Sequence, residues 1–206
     1  GCDSLRMYEL FVGPPELDAE WDDRGIDGVY RFLNRVWNLV MDNKEKEIEA
    51  TKEMVKVRNK MVYDITTRLE SFSLNTVISG FMEYNNKLIE IAKKEGGIDK
   101  ETLSTLAVLL APFAPHMAEE LWQQLGHEGT VFNAGWPTYD KEKMKDDEKE
   151  VAVQINGKTR AIITIPADIS KEDAIAAGKE AIAEKLTGTI VKEIYVPGRI
   201  INIVQK

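Results

Sequence analysis

The chain is poor in the residues that form covalent and metal cross-links. Its 206 residues include a single cysteine, Cys2, so no disulfide can form within the chain. The two histidines, His116 and His127, lie far from that cysteine and match no spacing typical of a zinc site. We therefore expect no metal centre and no disulfide framework, and the scarcity of cysteine fits a reducing cytoplasm.

Long apolar runs are also missing from the sequence. No stretch approaches the roughly 18 consecutive apolar residues of a membrane-spanning helix, and no signal peptide opens the chain. Apolar residues still make up 43% of the sequence, which is enough to form cores in one or two domains of ordinary size. The sequence thus predicts a cytoplasmic chain without a membrane partner.

The charge balance argues against nucleic-acid binding when the chain is taken as a whole, because the formal net charge is −8. The charges are unevenly distributed. Residues 151–206 carry eight Lys and Arg against six Asp and Glu, whereas residues 1–150 carry 19 against 29. A phosphate backbone responds to local potential, so the C-terminal part is the better candidate for an anionic partner. The alternative is an ordinary acidic domain with a slightly basic neighbour.

Apolar residues recur at steps of three and four along the first 140 residues, which predicts a series of amphipathic helices. Ser73 and Asp99 are the residue types that cap helix N-termini, and Gly96 is a typical helix stop. Short connections between such helices favour a bundle of antiparallel neighbours. We predict helices over residues 3–10, 24–40, 53–69, 74–95 and 100–111.

A sixth helix is predicted from the motif LLAPFAPHMAEELWQQLGHEGTVFNAGWPTYD at residues 109–140. Pro112 and Pro115 lack amide donors, so one helix must stop near Ala111 and another must begin with Pro115 in its first turn. We expect His116 to hold this turn in place rather than to act in catalysis. Trp122 belongs to the apolar stripe of the new helix.

The sequence changes character after residue 140. Residues 141–150, KEKMKDDEKE, hold one apolar side chain and predict a flexible tether. Apolar residues then alternate on either side of Asn156-Gly157, which predicts a β-hairpin. We expect a three-residue loop over 155–157 with Gly157 left-handed in a bulge, so that Val153 faces Thr159.

The remaining residues complete a small domain. Ser170 with Asp173 resembles a capping box for a helix that extends to about Leu186. Two further strands are predicted over residues 190–196 and 199–204. The fold class is therefore multi-domain, with an all-α helical bundle followed by a small α+β domain of ββαββ order.

Three blocks of the sequence resemble one enzyme family. PFAPHMAEELWQQLG followed by GWP resembles the end of the helical anticodon-binding domain in the class I aminoacyl-tRNA synthetases for leucine, valine and isoleucine. Residues 1–40, with their GPPE and RFLNRVW motifs, resemble the leucyl enzyme just after its KMSKS loop. Residues 151–168, VAVQINGKTRAIITIPAD, resemble the start of its small C-terminal domain in bacteria.

This resemblance implies a C-terminal fragment of bacterial leucyl-tRNA synthetase, which attaches leucine to its tRNA using ATP with Mg. The chain begins with Gly1 and contains neither the HIGH nor the KMSKS motif, so we expect the fragment to be inactive alone and to hold no cofactor. The implied domains are 1–20, a less ordered remnant of the connection to the missing catalytic domain; 21–140, the helical anticodon-binding-type domain; 141–150, the tether; and 151–206, a small tRNA-binding domain.

The resemblance also implies the partners, which are leucine tRNA, contacted through its backbone and shape, and the missing catalytic domain, with the protein itself a monomer. Arginines at spacings of seven and four on the predicted second helix are suited to gripping a tRNA stem, or else they pair with acidic neighbours. Basic residues of the small domain form either a tRNA-facing patch or a solvated sheet surface. The candidates are Arg24, Arg31 and Arg35, and Lys158, Arg160, Lys192 and Arg199.

Two alternatives remain open from the sequence. The chain could be the equivalent region of a valyl- or isoleucyl-tRNA synthetase, although those enzymes usually end in a coiled coil or a zinc-bearing tail. It could also be a non-enzymatic helical interaction module, which the acidic net charge favours.

Overall fold

A computed structural model describes residues 1–14, 17–18, 20–22, 24–145 and 148–206. The chain forms two compact units, Gly1–Met144 and Lys145–Lys206. The first is helical and the second combines a helix with a four-stranded sheet, so the predicted pair of an all-α and a small α+β domain is confirmed. The last two residues of the GPPE motif, Pro15 and Glu16, lie outside the described residues.

The first unit contains the predicted helices, with ends that differ by a few residues from those expected. Two short 3-10 turns, Val131–Asn133 and Glu142–Met144, follow the last helix. None of the helices in the described part of the chain combines the length and hydropathy that a membrane span needs. The helices are α1 Cys2–Phe11, α2 Gly25–Met41, α3 Lys52–Glu70, α4 Leu74–Glu95, α5 Lys100–Leu110 and α6 Pro115–Gln124.

One continuous core holds the six helices together. Each helix turns its apolar stripe inward, so Leu33, Met61, Phe81 and Leu106 from four different helices are all nearly or fully buried in the same cluster. Phe81 also meets Phe113 of the α5–α6 turn edge to face, with ring centroids 5.5 Å apart. The turn between α5 and α6 is thus packed into the core rather than left at the surface.

The prediction that residues 1–20 are less ordered is wrong for α1. Met7 and Tyr8 are buried, and α1 packs against α2, α4 and α6. The Tyr8 hydroxyl donates to the Asp22 carbonyl at 2.9 Å and accepts from the Asp22 amide at 3.0 Å, while Trp21 meets the Tyr8 ring edge to face. The apolar face of α1 therefore makes it a structural part of the bundle.

Of the predicted helix ends, those at Asp99 and Gly96 are confirmed and the one at Ser73 is not. Asp99 caps α5 by accepting from the Thr102 amide at 3.0 Å, as predicted, and Gly96 ends α4 in the left-handed region with φ +83°. The Ser73 cap is wrong, because the Ser73 side chain accepts no amide of α4. Its hydroxyl lies 3.1 Å from that of Ser71 instead, and its ψ of 61° departs from the extended conformation of an N-cap.

The second unit is a twisted sheet with one helix. Its elements are β1 Glu148–Ile155, β2 Lys158–Pro166, α7 Lys171–Ala181, a 3-10 turn Ala183–Lys185, β3 Ile190–Val196 and β4 Ile200–Gln205. The sheet order is β2-β1-β4-β3, in which β1 and β4 are parallel and the other neighbours antiparallel. The capping box at the start of α7 is confirmed, since the Ser170 hydroxyl accepts from the Asp173 amide at 3.1 Å and donates to its carboxylate.

The predicted register of the β1–β2 hairpin is wrong. Ile155 pairs with Lys158 across a two-residue turn in which Asn156 and Gly157 have φ of +50° and +79°, as a type I′ turn requires. An irregularity beside Gln154 leaves Arg160 without a partner residue, so Val153 pairs with Ala161. The extra residue lets the apolar residues of both strands face the same side, which a two-residue turn alone would not do.

Helix α7 covers one face of the sheet and leaves the other open. The covered face contributes Val151, Val153, Ile201 and Ile203, all of them fully buried. Strand residues alternate between the faces, so the residues between these point away from α7. On the open face an apolar row crosses all four strands in register, formed by Ile162, Ala152, Ile200 and Val196.

Part of the predicted tether, residues 141–150, is built into these elements. Glu142–Met144 form a 3-10 turn in the first unit, and β1 begins at Glu148, three residues before the predicted start of the small domain. Asp146 and Asp147 lie outside the described residues. The low apolar content of this segment therefore did not prevent regular structure at both of its ends.

Candidate nucleic-acid interface

The corner between α5 and α6 is held by α1. Helix α6 begins at Pro115, and its N-cap residue, Ala114, has no side-chain acceptor for the free amides of the first turn. Asp3 of α1 fills this role, because one carboxylate oxygen accepts from the Met117 amide at 2.7 Å and the other lies 2.8 Å from Nδ1 of His116. His116 thus contacts Asp3 of α1 rather than a group within the turn between Pro112 and Pro115.

Two further side chains hold the ends of this motif. The Arg6 guanidinium of α1 donates to the Pro112 carbonyl at 3.2 Å, so Pro112 as well as Pro115 is adjacent to a group held by α1. At the other end of the motif, the Glu119 carboxylate accepts from the Thr130 hydroxyl at 2.8 Å and the Val131 amide at 3.0 Å. These two hydrogen bonds, in that order, lower the pKa of Glu119.

His127 closes the end of α6. Its ring stacks on the Trp122 indole with centroids 3.7 Å apart, and its Nε2 lies 2.7 Å from the Ser104 hydroxyl. Burial, and then the charge of Lys100, lower the pKa of His127. The arrangement favours a neutral structural imidazole. Trp122 packs against the core as predicted, while its indole Nε1 is buried without a hydrogen-bond partner in the described part of the chain.

The three arginines predicted to line α2 are all exposed, but they are not equivalent. Arg24 lies at the N-cap and pairs with Asp22 at 3.2 Å, and Arg35 donates to the Asn86 side chain of α4 at 2.5 Å. Arg31 forms no hydrogen bond or ion pair with any described residue, so among the three its guanidinium is the most available to an anion. A groove of about 380 Å³ beside Arg35, between α2 and α4, also presents Lys46 and Lys93.

The structure separates the four basic candidates of the second unit. Lys158 pairs with the buried Ile155 and therefore lies on the α7 side of the sheet, whereas Lys192 pairs with Val204 on the open face. Arg199 lies in the β3–β4 turn, where its carbonyl accepts from the Ala152 amide. Since Ala152 is three residues from the Ile155 end of β1, Arg199 is distant from Lys158 along the strands. The four basic residues therefore do not share one face of the sheet.

A third basic residue, Lys185, belongs with Lys158 and Arg160. The sequence did not indicate it. The Lys185 ammonium, just after α7, donates to the Arg160 carbonyl at 3.1 Å. This carbonyl belongs to the irregular residue of β2, which has no partner across the ladder. The basic edge of the second unit is accordingly formed by Lys158, Arg160 and Lys185.

Sequence comparison places the chain among known domains. Residues 51–175 match the model of the family described as the anticodon-binding domain of tRNA ligase. The chain belongs to this family. The match covers most of the helical unit, including the Pro112 to Pro115 corner, and it continues into the second unit.

The relatives that the chain matches are named leucine–tRNA ligases, so the resemblance to that group is confirmed. Proteins of this name from Fervidobacterium nodosum and Parabacteroides distasonis are each 44% identical to the chain and align with 100% and 99% of it. The alignments take up only 27% and 22% of those proteins. The chain thus spans about a quarter of the length of the curated relatives it matches.

A solved structure shows the same similarity. The agnB2 LeuRS of Agrobacterium radiobacter K84, crystallised as a ternary complex with tRNA and LeuAMS, superposes on the whole chain with a TM-score of 0.78 and 29% sequence identity. The superposition covers 28% of that protein. Within the described ranges of the present structure, no group of three or more His, Cys, Asp or Glu side chains is arranged to hold a metal ion.

Proposed function

We propose that the chain is the C-terminal, tRNA-docking region of a bacterial leucine–tRNA ligase. The observation that carries this proposal is the alignment of leucine–tRNA ligases with the entire chain, across both units, at 40–44% identity. In the longer protein, leucine would be joined to its tRNA with ATP and Mg in parts that this chain does not contain. The chain alone would then be catalytically inactive. The protein would be monomeric and cytoplasmic.

The tRNA would be contacted through its backbone rather than through its bases. In the helical unit, Arg31 is the leading candidate, with Arg24 and Arg35 beside it on the same helix. The ββαββ unit, residues 151–206, would add the basic edge of Lys158, Arg160 and Lys185, with Lys192 or Arg199 as separate contacts. Guanidinium and ammonium groups that contact the RNA backbone recognise the shape of the RNA. This kind of recognition needs few aromatic side chains.

Binding to tRNA tests this proposal directly. The chain is titrated with leucine tRNA and with an unrelated tRNA at low and at moderate salt. We expect salt-sensitive binding that favours leucine tRNA, since each phosphate contact adds to the salt dependence. The absence of salt-sensitive binding to either tRNA would remove the docking role of the isolated chain.

Variants then locate the contacts. Lys158→Ala with Arg160→Ala should weaken binding about tenfold and lower the slope of log affinity against log salt by about two. Lys171→Ala, an exposed charge at the start of α7, is the matched control. In the helical unit Arg31→Ala is compared with Lys52→Ala. Equal effects of candidate and control would place the tRNA elsewhere.

The alternatives make different predictions. The corresponding region of a valyl- or isoleucyl-tRNA synthetase would prefer the tRNA of its own amino acid in the same titration. A helical interaction module without a role on tRNA would bind neither tRNA, and the net charge of −8 is the observation in its favour.

A further inference from the structure

Helices α2 and α4 lie side by side, and contacts at two levels fix the space between them. The Arg35 guanidinium of α2 donates to the Asn86 side chain of α4 at 2.5 Å. Farther along the chain, the Lys46 ammonium donates to the Gly96 carbonyl at the end of α4 at 3.0 Å. Along a helix, the step from Asn86 to Gly96 corresponds to about 15 Å. The space between the two contacts is therefore a groove of defined length.

The groove has an apolar floor and a cationic rim. Leu39 is buried, while Ile89 and Ala92 are partly buried and pack against the core of the bundle. The rim cations are exposed. The volume of about 380 Å³ lies within the range of about 300–1,000 Å³ that is typical of clefts for small ligands. We call this the α2–α4 groove and define it by Leu39, Ile89, Ala92, Arg35, Lys46 and Lys93.

The rim cations keep donors available for a ligand. The contact with Asn86 leaves most of the N–H donors of the Arg35 guanidinium free. The Lys46 ammonium is held by the Gly96 carbonyl and by the Asn43 side-chain oxygen at 3.2 Å. Lys93 forms no hydrogen bond or ion pair with any residue that the structure describes. Two of the cations are thus positioned before a ligand arrives, which lowers the cost of binding.

The α2–α4 groove is positive although the unit around it is acidic. Among its described lining residues, three are cations and one, Asp42, is a carboxylate. Two acidic residues of α4 belong elsewhere, since Glu90 lines a separate groove between α3 and α4 and Glu95 lies 3.5 Å from the Lys94 ammonium. Residues 1–150 as a whole carry 19 Lys and Arg against 29 Asp and Glu. A local excess of positive charge in such surroundings favours an anionic ligand at this place.

We propose that the α2–α4 groove binds one unpaired nucleotide, either free or as a unit of a single strand. Its base lies on the apolar floor, since unstacked bases pack against apolar side chains. Its phosphate is bound by the rim cations, because guanidinium and ammonium groups are the usual phosphate ligands. The Asn38 side chain, exposed at the groove and without a hydrogen bond in the described part of the chain, offers the donor and acceptor that match an adenine edge. Only binding as part of a tRNA strand rests on the proposed function.

A purely structural role for the cations is the competing explanation. The carbonyl ends of α2 and α4 carry partial negative charge, and cations near such ends stabilise a helix. In that case the groove would attract any small anion, and its apolar floor would not contribute. The two explanations therefore differ in whether the base adds to the binding of the phosphate.

The test titrates the 206-residue chain with four probes: adenosine 5′-monophosphate, adenosine, inorganic phosphate and a single-stranded RNA pentamer of adenosines. Methyl NMR signals of Leu39 and Ile89 report on the floor. We expect saturable shifts of both signals with the monophosphate, and binding of adenosine that is weaker by about tenfold or more. Phosphate alone should leave both signals in place. Tighter binding of the pentamer than of the monophosphate would identify a strand as the source of the nucleotide, and equal affinity a free nucleotide.

One pair of variants tests the cations. Arg35→Ala combined with Lys93→Ala should raise the Kd of the monophosphate about tenfold. The control combines Lys52→Ala with Lys171→Ala, which removes the same charge from exposed positions outside the groove. This control should leave the Kd nearly unchanged.

A second pair tests the floor without changing any charge. Ala92→Leu fills part of the groove and should weaken binding of the monophosphate, because the base loses its place beside Ile89. The matched control is Ala50→Leu, at an exposed position outside the groove. Tryptophan fluorescence in urea shows whether each variant remains folded.

The proposal would be overturned if neither the monophosphate nor the pentamer shifted the Leu39 and Ile89 signals in a saturable way in the unaltered chain. Phosphate that competes as strongly as the monophosphate would overturn it as well, and so would equal losses in the cation variant and its control. None of these measurements uses tRNA. The docking of leucine tRNA is tested separately, so either idea can fail while the other holds.

Discussion

Asp3 and His116 are 113 residues apart in the sequence, yet a carboxylate oxygen of Asp3 lies 2.8 Å from Nδ1 of His116. The same carboxylate also receives the Met117 amide. An acidic side chain from α1 thus supplies the cap that Ala114 and Pro115 leave missing at the start of α6. The motif around His116 therefore forms the surface on which the start of α1 docks.

Removal of the Asp3 carboxylate should loosen this corner. Asp3→Ala leaves the Met117 amide without its acceptor, so we expect the free energy of unfolding to fall by about 1–2 kcal/mol, as for a lost helix cap. Urea unfolding followed by tryptophan fluorescence measures it, since all four tryptophans lie in the helical unit. Glu9→Ala, on the exposed face of α1, is the control and should change stability by less than about 0.5 kcal/mol.

The ion pair at the start of α5 should matter more. Asp99 caps α5 and lies 3.3 Å from the Arg58 guanidinium, with side chains only 5% and 14% exposed. Asp99→Ala should cost about 3 kcal/mol, because it removes a cap and leaves a largely buried cation with Glu101 alone. Glu101, which is 73% exposed, is the matched control, and its replacement by Ala should cost less than about 1 kcal/mol. Similar losses for both variants would contradict the difference in burial.

Asn85 is a site where stability can be gained. Its side chain is fully buried on α4, and neither its amide nitrogen nor its oxygen has a partner among the described residues. Asn85→Leu should raise the free energy of unfolding by about 1 kcal/mol, since it removes two unpaired polar atoms from the core. Asn59→Leu should do the reverse, because the Asn59 side chain donates to Val55 and accepts from Asp140. A loss of stability in Asn85→Leu would point to a bound water at this position.

Two glycines should respond to alanine in opposite directions. Gly157 has φ +79° in the hairpin turn, so Gly157→Ala should destabilise the second unit by about 1 kcal/mol. Gly28 lies inside α2 with open space around it, and Gly28→Ala should stabilise the first unit by about 0.5–1 kcal/mol. Methyl NMR signals of Ile201 and Ile203 report on the second unit, and tryptophan fluorescence reports on the first.

His127 should make the helical unit less stable in mild acid. The pKa of His127 is lowered by burial and by Lys100, so the unfolded chain binds a proton at a pH where the folded chain does not. Stability is therefore complete above the ordinary histidine pKa of about 6.5 and falls as the pH drops below it. His127→Gln should reduce this slope. NMR titration of the two histidines should give a His127 pKa below 6.5, and a value at or above it would contradict the burial.

The helical unit could be predicted from sequence because its information is local. Periodic apolar residues identified the helices, and Asp99, Gly96 and Pro115 marked their ends. Contacts between distant residues carried no such signal. Asp3 was not identified as the cap of α6, because nothing in a single sequence relates it to Met117.

The second unit shows the same division. Alternation identified the strands and the position of the turn, but the register was wrong because Arg160 is an extra residue in β2. The error placed each basic side chain of β2 differently relative to its neighbours, so the sequence could not tell which face of the sheet Lys158 lies on. Lys185 was missed because only the fold brings it to the Arg160 carbonyl.

The parallel pairing of β1 with β4 also has a kinetic consequence. The Asn156 side chain donates to the Gln205 carbonyl and accepts from the Gln205 amide, across 49 residues of sequence. The β1–β2 hairpin is local, but an isolated hairpin is marginal in water. The edge of β1 that faces the middle of the sheet gains its hydrogen-bond partner only when β4 pairs with it. Strand β2, helix α7 and strand β3 all lie between β1 and β4 in the sequence. We therefore expect the second unit to fold late and in one cooperative step, with loop closure rather than helix formation limiting its rate.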